Sequence, residues 1–367
     1  MAFLQNIGLL SITPGMPLMW LIGLTLIYLA IHKQYEPLLL LPIGFGILLA
    51  NIPETSLMVQ GEGLIWRLYH YGIEWEVIPP LIFLGLGALT DFGPLLAQPR
   101  LIFLGAGAQA GVYITFFSAY AMGFKLDEAA TIGIIGGADG PTTIYLASKL
   151  APQLLGAVAV AAYSYMALVP IIQPPIMRLL TTEHERKIKM QKSRKITAKE
   201  KMLFPIVAAM VIMLLVPASA PLMSMFMLGN LFRESKVVER LSETSQNALM
   251  NIVTIFLGVS VGATMNAHNF LRKEVIFIFI LGLFAFMVST ASGILLAKFM
   301  NLFTHNKINP LIGAAGVSAV PMSARVVQKV ATSYDKKNYL IMFAMGPNIA
   351  GVIGTVIAAG IFLTMLK

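Results

Sequence analysis

The sequence "TIGIIGGADGPTTIYLASKLAP", residues 131–152, places one acidic residue, Asp139, inside an otherwise apolar run. An ionisable side chain within a membrane segment costs at least ~2.5–3.5 kcal/mol on insertion scales, so such residues are usually functional. The other interpretation places Asp139 at a water-exposed helix end, where it caps the helix, and "ADGPT" is also a reasonable turn. We expect the carboxylate to bind a cation.

The residues that flank Asp139 favour a break in the helix. Gly136, Gly137 and Gly140 are expected to let the backbone take unusual angles, and Pro141 removes an N–H and frees a carbonyl. A hairpin with open carbonyls next to a carboxylate suits a hard cation that prefers oxygen ligands.

The composition indicates a polytopic membrane protein. The chain of 367 residues is 57% hydrophobic and 12% charged, whereas soluble domains average about a quarter charged residues. The net charge of +9 is explained by positively charged cytoplasmic loops, and we expect no nucleic-acid partner. The absence of cysteine excludes thiolate metal sites and cysteine nucleophiles, and no GxxxxGK[ST] motif for ATP hydrolysis is present.

The predicted fold is an all-α polytopic membrane protein with two related repeats, in which broken helices or re-entrant hairpins form an ion site near the membrane midplane. Apolar spans of about 20 residues are predicted over 16–31, 36–52, 101–123, 154–177, 203–228, 275–297 and 338–366. Segments too short or too rich in Gly and Pro for plain spans are 78–94, 131–150, 246–265 and 308–322.

Two halves of the chain resemble each other. "IFLG" begins at Ile82 and again at Ile255, an offset of 173 residues, and Gly136 corresponds to Gly313 at an offset of 177. An odd number of spans per repeat would make the repeats inverted. The predicted organisation is N-terminal transmembrane segments (1–75), a first repeat with the GGADGPT hairpin (76–180), a basic cytoplasmic loop (181–202), a connecting transmembrane segment (203–245) and a second repeat with the GAAGVSAVP hairpin (246–367).

The segment 181–201, "TTEHERKIKMQKSRKITAKEK", holds eight Lys or Arg residues. The positive-inside rule places this segment in the cytoplasm. Phospholipid binding is the alternative to a solvated connecting loop.

The second half supplies neutral oxygens for a cation site. Asn309, Ser318 and Ser323 lie among small residues at 307–328, and Asn348 follows Gly-Pro in an apolar segment. A single Asn in a membrane more often bonds a neighbouring helix, but this set, together with an Asp, favours a Na⁺ site.

Three further side chains carry weaker signals. Arg325 either extends to a lipid headgroup or receives an anion near the cytoplasmic surface. Tyr165 offers a hydroxyl near the middle of its segment, although tyrosines are commoner as interface anchors and Tyr163 competes for any role.

The chain resembles the β subunits of the biotin-dependent, Na⁺-pumping decarboxylases of oxaloacetate, methylmalonyl-CoA and glutaconyl-CoA. The resemblance covers essentially the whole chain and rests on long strings: "EPLLLLPIGFG" (36–46), "DFGPLLAQPR" (91–100), "GIIGGADGPTTIYLASKLAP", "AVAAYSYMALVP" (159–170), "QPPIMRLLTTEHERKIKM" (173–190), "NPLIGAAGVSAVPMSARV" (309–326) and "MGPNIAGVIG" (345–354).

The resemblance implies a function in a multi-subunit translocase. A carboxyltransferase α subunit would load biotin on a separate carrier subunit, so no biotin is attached to this chain. The β subunit would decarboxylate carboxybiotin, consume a proton and export Na⁺ across the bacterial inner membrane. A small γ- or δ-type membrane subunit and a homo-oligomer are also implied.

The resemblance also implies roles for single residues. Asp139 would be the central Na⁺ ligand, and Asn309, Asn348 and Ser318 would be further ligands, with Gly313 permitting close backbone approach.

The catalytic roles implied by the resemblance belong to Asp139, Tyr165, Ser318 and Arg325. Ser318 and Tyr165 resemble residues tied to Na⁺ binding and to the proton taken up, and Arg325 resembles a residue on the carboxybiotin side.

The segment 55–77 is shorter than its counterpart in the oxaloacetate branch, which slightly favours the acyl-CoA branches. The alternative function is a secondary Na⁺/solute symporter or Na⁺/H⁺ antiporter, which would show the same broken helices and Asp/Asn site. A membrane scaffold is the third alternative, and it leaves Asp139 unexplained.

Overall fold

The computed structural model describes residues 8–191 and 193–366, and the regular structure of these residues is helical. The α-helices are α1 Gly15–Lys33, α2 Pro37–Ala50, α3 Leu64–Tyr69, α4 Ile78–Leu89, α5 Gly93–Ala97, α6 Ile102–Ala108, α7 Ala110–Ala121, α8 Leu126–Gly133, α9 Gly140–Leu150, α10 Leu155–Leu180, α11 Glu183–Arg186, α12 Ala198–Leu215, α13 Ala220–Ser235, α14 Glu239–Thr244, α15 Met250–Ala263, α16 Ala267–Phe270, α17 Lys273–Phe303, α18 Met322–Tyr334 and α19 Ile341–Leu366.

Six helical stretches within these residues are long and apolar enough to cross a bilayer, and a seventh span is formed if the pair Leu64–Glu74 and Ile78–Leu89, bent by 64°, is counted as one. The prediction of an all-α polytopic membrane protein is therefore confirmed. The six stretches are Gly15–Lys33, Pro99–Ala121, Pro152–Leu180, Glu239–Ala263, Lys273–Phe303 and Ile341–Leu366.

The span predicted over 203–228 is wrong in detail, because two helices occupy this region. Helix α12 ends at Leu215 and α13 begins at Ala220, with a 3₁₀ turn at Pro217–Ser219 between them. Pro217 and Pro221 lack the N–H that a continuous helix would need, so the chain turns there.

The interruption predicted over 246–265 is also wrong, since Glu239–Ala263 forms one span through a π-turn at Ser245–Leu249. Its glycines serve helix packing instead. A Cβ on Gly258 would lie 2.7 Å from Pro42, and one on Gly262 would lie 2.1 Å from the Ile43 carbonyl oxygen. Small residues let α15 approach α2 closely, as in many membrane helix pairs.

Two broken segments lie at the centre of the fold. The first hairpin (126–150) consists of α8, a 3₁₀ turn at Ile134–Gly137 and α9; the second hairpin (309–334) consists of a 3₁₀ segment at Pro310–Gly316 and α18. Helices α17 and α19 pack against the 3₁₀ segments of both hairpins.

The elements occur in the same order in both halves of the chain. A helix of 12 or 14 residues (α4 or α15) is followed by a long span, a hairpin and a second long span (α10 or α19). The inverted relation of the halves and the exact repeat boundaries stay predictions.

Candidate functional site

The first hairpin breaks at two residues, Ala138 and Asp139. Ala138 has a left-handed backbone (φ 54°, ψ 43°), and Asp139 is extended and caps α9. The expectation that Gly136, Gly137 and Gly140 supply the unusual angles is wrong, because none of them has a positive φ. Alanine carries the strained conformation because its neighbours hold it there.

The glycines instead make room for neighbouring side chains. A Cβ on Gly137 would lie 2.5 Å from the Thr355 methyl group, and one on Gly140 would lie 2.1 Å from the Tyr163 ring. Real Cβ atoms do not approach so closely, so these positions admit only glycine without a shift of the surroundings. The sequence "GGADG" thus brings α19 and α10 against the break.

The carboxylate of Asp139 is buried and only half engaged. Its side chain is 4% exposed, and Oδ1 accepts a hydrogen bond from the Thr142 backbone N–H at 3.1 Å. Oδ2 is buried with no hydrogen-bond partner. Asp139 therefore caps a helix, but in the interior rather than at a water-exposed end. Cation binding by Asp139 stays a prediction, and Oδ2 is the oxygen that has no partner. A buried acceptor without a partner costs free energy that a bound cation would offset.

The two hairpins meet at Ser318. Its backbone N–H and its Oγ both donate to the Gly137 carbonyl oxygen, at 2.9 Å and 2.7 Å. These bonds join residues 181 positions apart in the chain. The hairpins therefore form one unit, with Ser318 beside the break at Asp139.

A cavity of about 240 Å³ opens next to Asp139, and we call it the inner cavity. Its polar lining includes Asp139, Tyr163, Ser318 and Glu36 within a mainly apolar wall. The Tyr163 side chain is 1% exposed and its hydroxyl has no hydrogen-bond partner. The inner cavity is thus lined by residues that carry a carboxylate, a phenol and a hydroxyl group.

Tyr165 lies elsewhere. Its hydroxyl donates to the Phe279 carbonyl oxygen on α17, and it does not line the inner cavity, whereas Tyr163 does. Of the two tyrosines that compete in the sequence, the structure brings Tyr163 together with Asp139.

Asn348, on α19, bonds the second hairpin. Its Nδ2 donates to the carbonyl oxygens of Ala315 and Val317, at 3.2 Å and 2.7 Å, and to Ser323 Oγ at 2.8 Å. Its Oδ1 is buried without a partner. One amide oxygen therefore remains available as a ligand, while the rest of the side chain holds the hairpin turn.

The structure does not bring Asn309 to the inner cavity. Its Nδ2 donates to the carbonyl oxygens of Arg186 and Ile188, at 2.9 Å and 2.8 Å, and its Oδ1 accepts from the Leu311 N–H at 3.1 Å. Asn338 donates to the same two carbonyls of the basic loop. Both amides therefore fasten that loop to the second hairpin.

Gly313 lies where the second hairpin crosses α17. A Cβ on Gly313 would lie 2.1 Å from the Gly293 carbonyl oxygen, and a Cβ on Gly293 would lie 2.1 Å from that of Gly313. The close backbone approach at Gly313 is thus to another helix.

Arg325 is exposed on α18 and lines a second cavity of about 340 Å³, which we call the outer cavity. Lys33, Tyr35 and Glu36, from the turn between α1 and α2, also line it. Arg325 therefore lines a surface depression with two further charged residues, Lys33 and Glu36, rather than the inner cavity.

Sequence reasoning missed several polar residues that the fold brings to the hairpins. Gln109 donates to the Gly351 carbonyl oxygen at 3.3 Å and accepts from Thr355 Oγ1 at 3.2 Å, and Gln173 donates to the Ala314 carbonyl oxygen at 2.8 Å. Amides within apolar spans were the available signal. No such signal marks Glu36, because an acidic residue before a proline at the start of a span resembles an ordinary charge at the membrane interface.

A helical, polytopic membrane protein with a half-engaged carboxylate at a broken hairpin belongs to the class of ion-translocating membrane proteins. Within residues 8–191 and 193–366 no group of three His, Cys, Asp or Glu side chains could hold a metal ion. One carboxylate with neutral oxygens suits a monovalent cation that is carried and released.

Comparison with known proteins identifies the family within this class. Residues 15–366 match the protein family described as the Na⁺-transporting oxaloacetate decarboxylase β subunit. The chain belongs to this family. It is 58% identical to the methylmalonyl-CoA decarboxylase β subunit of Veillonella parvula, over 99% of this chain and 96% of that protein. It is 55% identical to the glutaconyl-CoA decarboxylase β subunit of Acidaminococcus fermentans, over 99% and 96%, and 51% identical to the oxaloacetate decarboxylase β chain of Haemophilus ducreyi, over 100% and 98%.

These matches confirm the family resemblance. The chain is a β subunit of the Na⁺-pumping decarboxylase family. The alternative function, a secondary symporter or antiporter, is not favoured.

Proposed function

We propose that this chain decarboxylates carboxybiotin and couples this reaction to Na⁺ export. The N–CO₂ bond of carboxybiotin breaks, CO₂ leaves, and the biotin nitrogen takes up one proton. The observation that carries the proposal is the unpartnered Oδ2 of Asp139, buried beside the contact between the two hairpins. Family membership supplies the driving reaction.

The proposed Na⁺ site is centred on Asp139, with Ser318 and the Tyr163 hydroxyl as neighbouring oxygens that line the same inner cavity. Asn348 offers one buried amide oxygen without a partner. Gly313 shapes the second hairpin through its approach to Gly293. The oxygens of Asp139, Ser318, Tyr163 and Asn348 would replace the hydration shell of the ion.

Asn309 remains a proposed ligand on the resemblance of the "NPLIGAAGVSAVP" motif. A ligand role requires its bonds to the basic loop to change, since its amide is fully engaged in this structure. Asn338 offers a matched control because it bonds the same carbonyls. A ligand role predicts that Asn309→Ala raises the half-saturating Na⁺ concentration and Asn338→Ala does not; equal effects would assign Asn309 to loop docking alone.

Two residues serve the decarboxylation side. Arg325 is proposed to receive the carboxylated biotin, because it is an exposed cation that lines the outer cavity. Tyr165 and Ser318 are proposed to serve the proton that replaces CO₂.

The coupling has a simple physical form. Na⁺ neutralises Asp139, and so does a proton, and a neutral site lets the hairpin unit change its exposure from one side to the other. A ligand shifts such an equilibrium only by its differential affinity for the two states. Decarboxylation must therefore depend on occupation of the Na⁺ site.

The proposal includes partners and location. The chain would work with a carboxyltransferase α subunit, a biotin carrier subunit and a small γ- or δ-type subunit, as a homo-oligomer in the bacterial inner membrane with residues 181–201 in the cytoplasm. The higher identity to the two acyl-CoA relatives than to the oxaloacetate relative supports an acyl-CoA substrate for the complex. Inverted repeats would bring the two hairpins together at the midplane.

The test uses the complex reconstituted in vesicles with carboxybiotin. We expect CO₂ release that requires Na⁺ and moves Na⁺ across the membrane, and no release when choline replaces Na⁺. CO₂ release at the same rate in choline, or solute-coupled Na⁺ flux without CO₂ release, would contradict the proposal.

A further inference from the structure

Glu36 lies at the junction of the two cavities. It lines the inner cavity together with Asp139 and Tyr163, and it lines the outer cavity together with Lys33 and Arg325. The carboxylate is therefore placed between the surface depression and the proposed ion site.

The cavities follow each other along shared elements. On α10, Tyr163 and Met166 line the inner cavity, while Ala167 and Pro170 line the outer one. Tyr163 and Pro170 are about 10 Å apart along a helix, and the helix continues to Leu180, next to the basic loop. The outer cavity thus lies on the loop side of Asp139.

The second hairpin shows the same progression. Ser318 and Val320 line the inner cavity, and Met322 and Arg325 line the outer one. Two independent elements therefore place the cavities in one line that leads from the loop side to Asp139.

Nothing in the local structure accounts for Glu36. It precedes α2, but its side chain makes no capping hydrogen bond, and it has no ion pair or side-chain hydrogen bond with any residue of 8–191 or 193–366. Its backbone is left-handed (φ 38°, ψ 59°), an unfavourable conformation for a residue other than glycine. Strain of this kind is concentrated at functional sites.

Tyr163 lines the inner cavity together with both acidic residues, Asp139 and Glu36. Its buried hydroxyl has no hydrogen-bond partner. The inner cavity is thus lined by two acidic residues and a tyrosine whose hydroxyl is unpartnered.

We propose that Glu36 is a second cation-binding carboxylate, through which Na⁺ passes between the outer cavity and Asp139. The inference rests on the proposed function and adds the loop-side route of the ion. Lys33 and Arg325 repel a cation in the empty outer cavity, but a bound carboxylate offsets their charge. Na⁺ entry through Glu36 is therefore favoured when the anionic substrate is present.

The test measures the Na⁺ dependence of decarboxylation in the intact complex. Glu36→Gln is expected to raise the half-saturating Na⁺ concentration about tenfold, since removing the acid lowers the local cation concentration, with a smaller effect on kcat. Glu36→Asp, which keeps the charge, should restore most of the affinity. Lys33→Gln, in the same cavity, should lower the half-saturating concentration or leave it unchanged.

A chemical rescue separates charge from shape. The chain has no cysteine, so Glu36→Cys introduces a thiol that is unique within this chain. A sulfonate-bearing methanethiosulfonate adduct should bring the half-saturating Na⁺ concentration towards the wild-type value, and an ammonium-bearing adduct should raise it further. Equal effects of the two adducts, or a Glu36→Gln value within twofold of wild type, would overturn the inference.

Failure of this inference is distinguishable from failure of the proposed function. Asp139→Asn in the same assay must abolish Na⁺-dependent CO₂ release if the function is right. If Asp139→Asn is inactive and Glu36→Gln behaves as wild type, only the role of Glu36 is lost. Activity in Asp139→Asn would contradict the function itself.

Discussion

The two hairpins occupy corresponding positions in the two halves but differ in what they offer an ion. The first carries a buried carboxylate, Asp139, with one oxygen free. The second carries neutral groups: Ser318 bonds the first hairpin, and Asn309 bonds the basic loop. The first hairpin therefore provides the charge, and the second provides neutral oxygens and the link to the loop.

This difference suits a carried ion. The single carboxylate at the break can be neutralised by one Na⁺ or one proton. The contact of Ser318 with the Gly137 carbonyl oxygen makes the site depend on both hairpins, so movement of one hairpin alters the ligands of the other.

The largest expected effects come from the close contacts of each hairpin. Gly140→Ala would push a Cβ into the Tyr163 ring, and Gly313→Ala would push one into the Gly293 carbonyl oxygen. We expect each substitution to lower the free energy of unfolding by about 1–3 kcal/mol. The measurement is the decrease in the thermal unfolding temperature of the purified complex.

The two variants differ in function. Gly140→Ala should also lower Na⁺ affinity, because it displaces Tyr163 at the inner cavity. Gly346→Ala is the control, since its nearest atom lies at 3.4 Å. Equal stability of all three variants would show that the hairpins are packed differently from this account.

Ser318→Ala tests the link between the hairpins. It removes the Oγ bond to the Gly137 carbonyl oxygen and keeps the backbone bond. We expect a loss of about 1 kcal/mol in stability and a raised half-saturating Na⁺ concentration. An unchanged Na⁺ dependence would remove Ser318 from the proposed site.

Tyr163→Phe and Tyr165→Phe compare two hydroxyls on the same helix. Tyr163→Phe should raise the half-saturating Na⁺ concentration a few-fold, which corresponds to the net free energy of about one hydrogen bond, because Tyr163 lines the inner cavity and its hydroxyl has no other partner. Tyr165→Phe loses a bond to Phe279 and should leave Na⁺ dependence unchanged while it slows decarboxylation. The reverse pattern would move the site towards Tyr165.

Asp335, which directly follows the second hairpin, should have the smallest effect. The Lys337 backbone N–H and the Lys189 ammonium at 3.2 Å hold its pKa below the ordinary value. The stabilising effect is therefore present above the unfolded pKa and lost as pH falls through the lower folded pKa. Asp335→Asn should leave the Na⁺ dependence of decarboxylation unchanged. The wild-type protein should lose a little thermal stability below about pH 4 as Asp335 is protonated, and the variant should lack this loss.

Much of the fold could be predicted from the sequence, because apolar length and the Gly- and Pro-rich breaks are local signals. Helical spans and two central hairpins were predicted from those signals. The glycines were misinterpreted at Gly258 and Gly262, since a glycine that breaks a helix and one that packs two helices look alike in sequence. Only the position of α2 distinguishes them.

The site was predicted in part. Asp139 stands out because charge in an apolar run is rare, and Ser318 follows from the second Gly-rich segment. The choice between Tyr163 and Tyr165 depends on which face of α10 meets the first hairpin. Tertiary packing decides this, and the local sequence does not show it. Glu36 lies about one hundred residues from Asp139 in the chain, and the packing of the α1–α2 turn alone brings it to the cavity.

The central claim is that Asp139 binds the transported Na⁺ and that decarboxylation requires this binding. The most direct test measures ²²Na⁺ binding and carboxybiotin decarboxylation in the purified complex carrying Asp139→Asn, with Asp335→Asn, which directly follows the second hairpin, as the carboxylate control. We predict that Asp139→Asn loses both activities and that Asp335→Asn keeps both. Decarboxylation at the wild-type rate in Asp139→Asn would contradict the account.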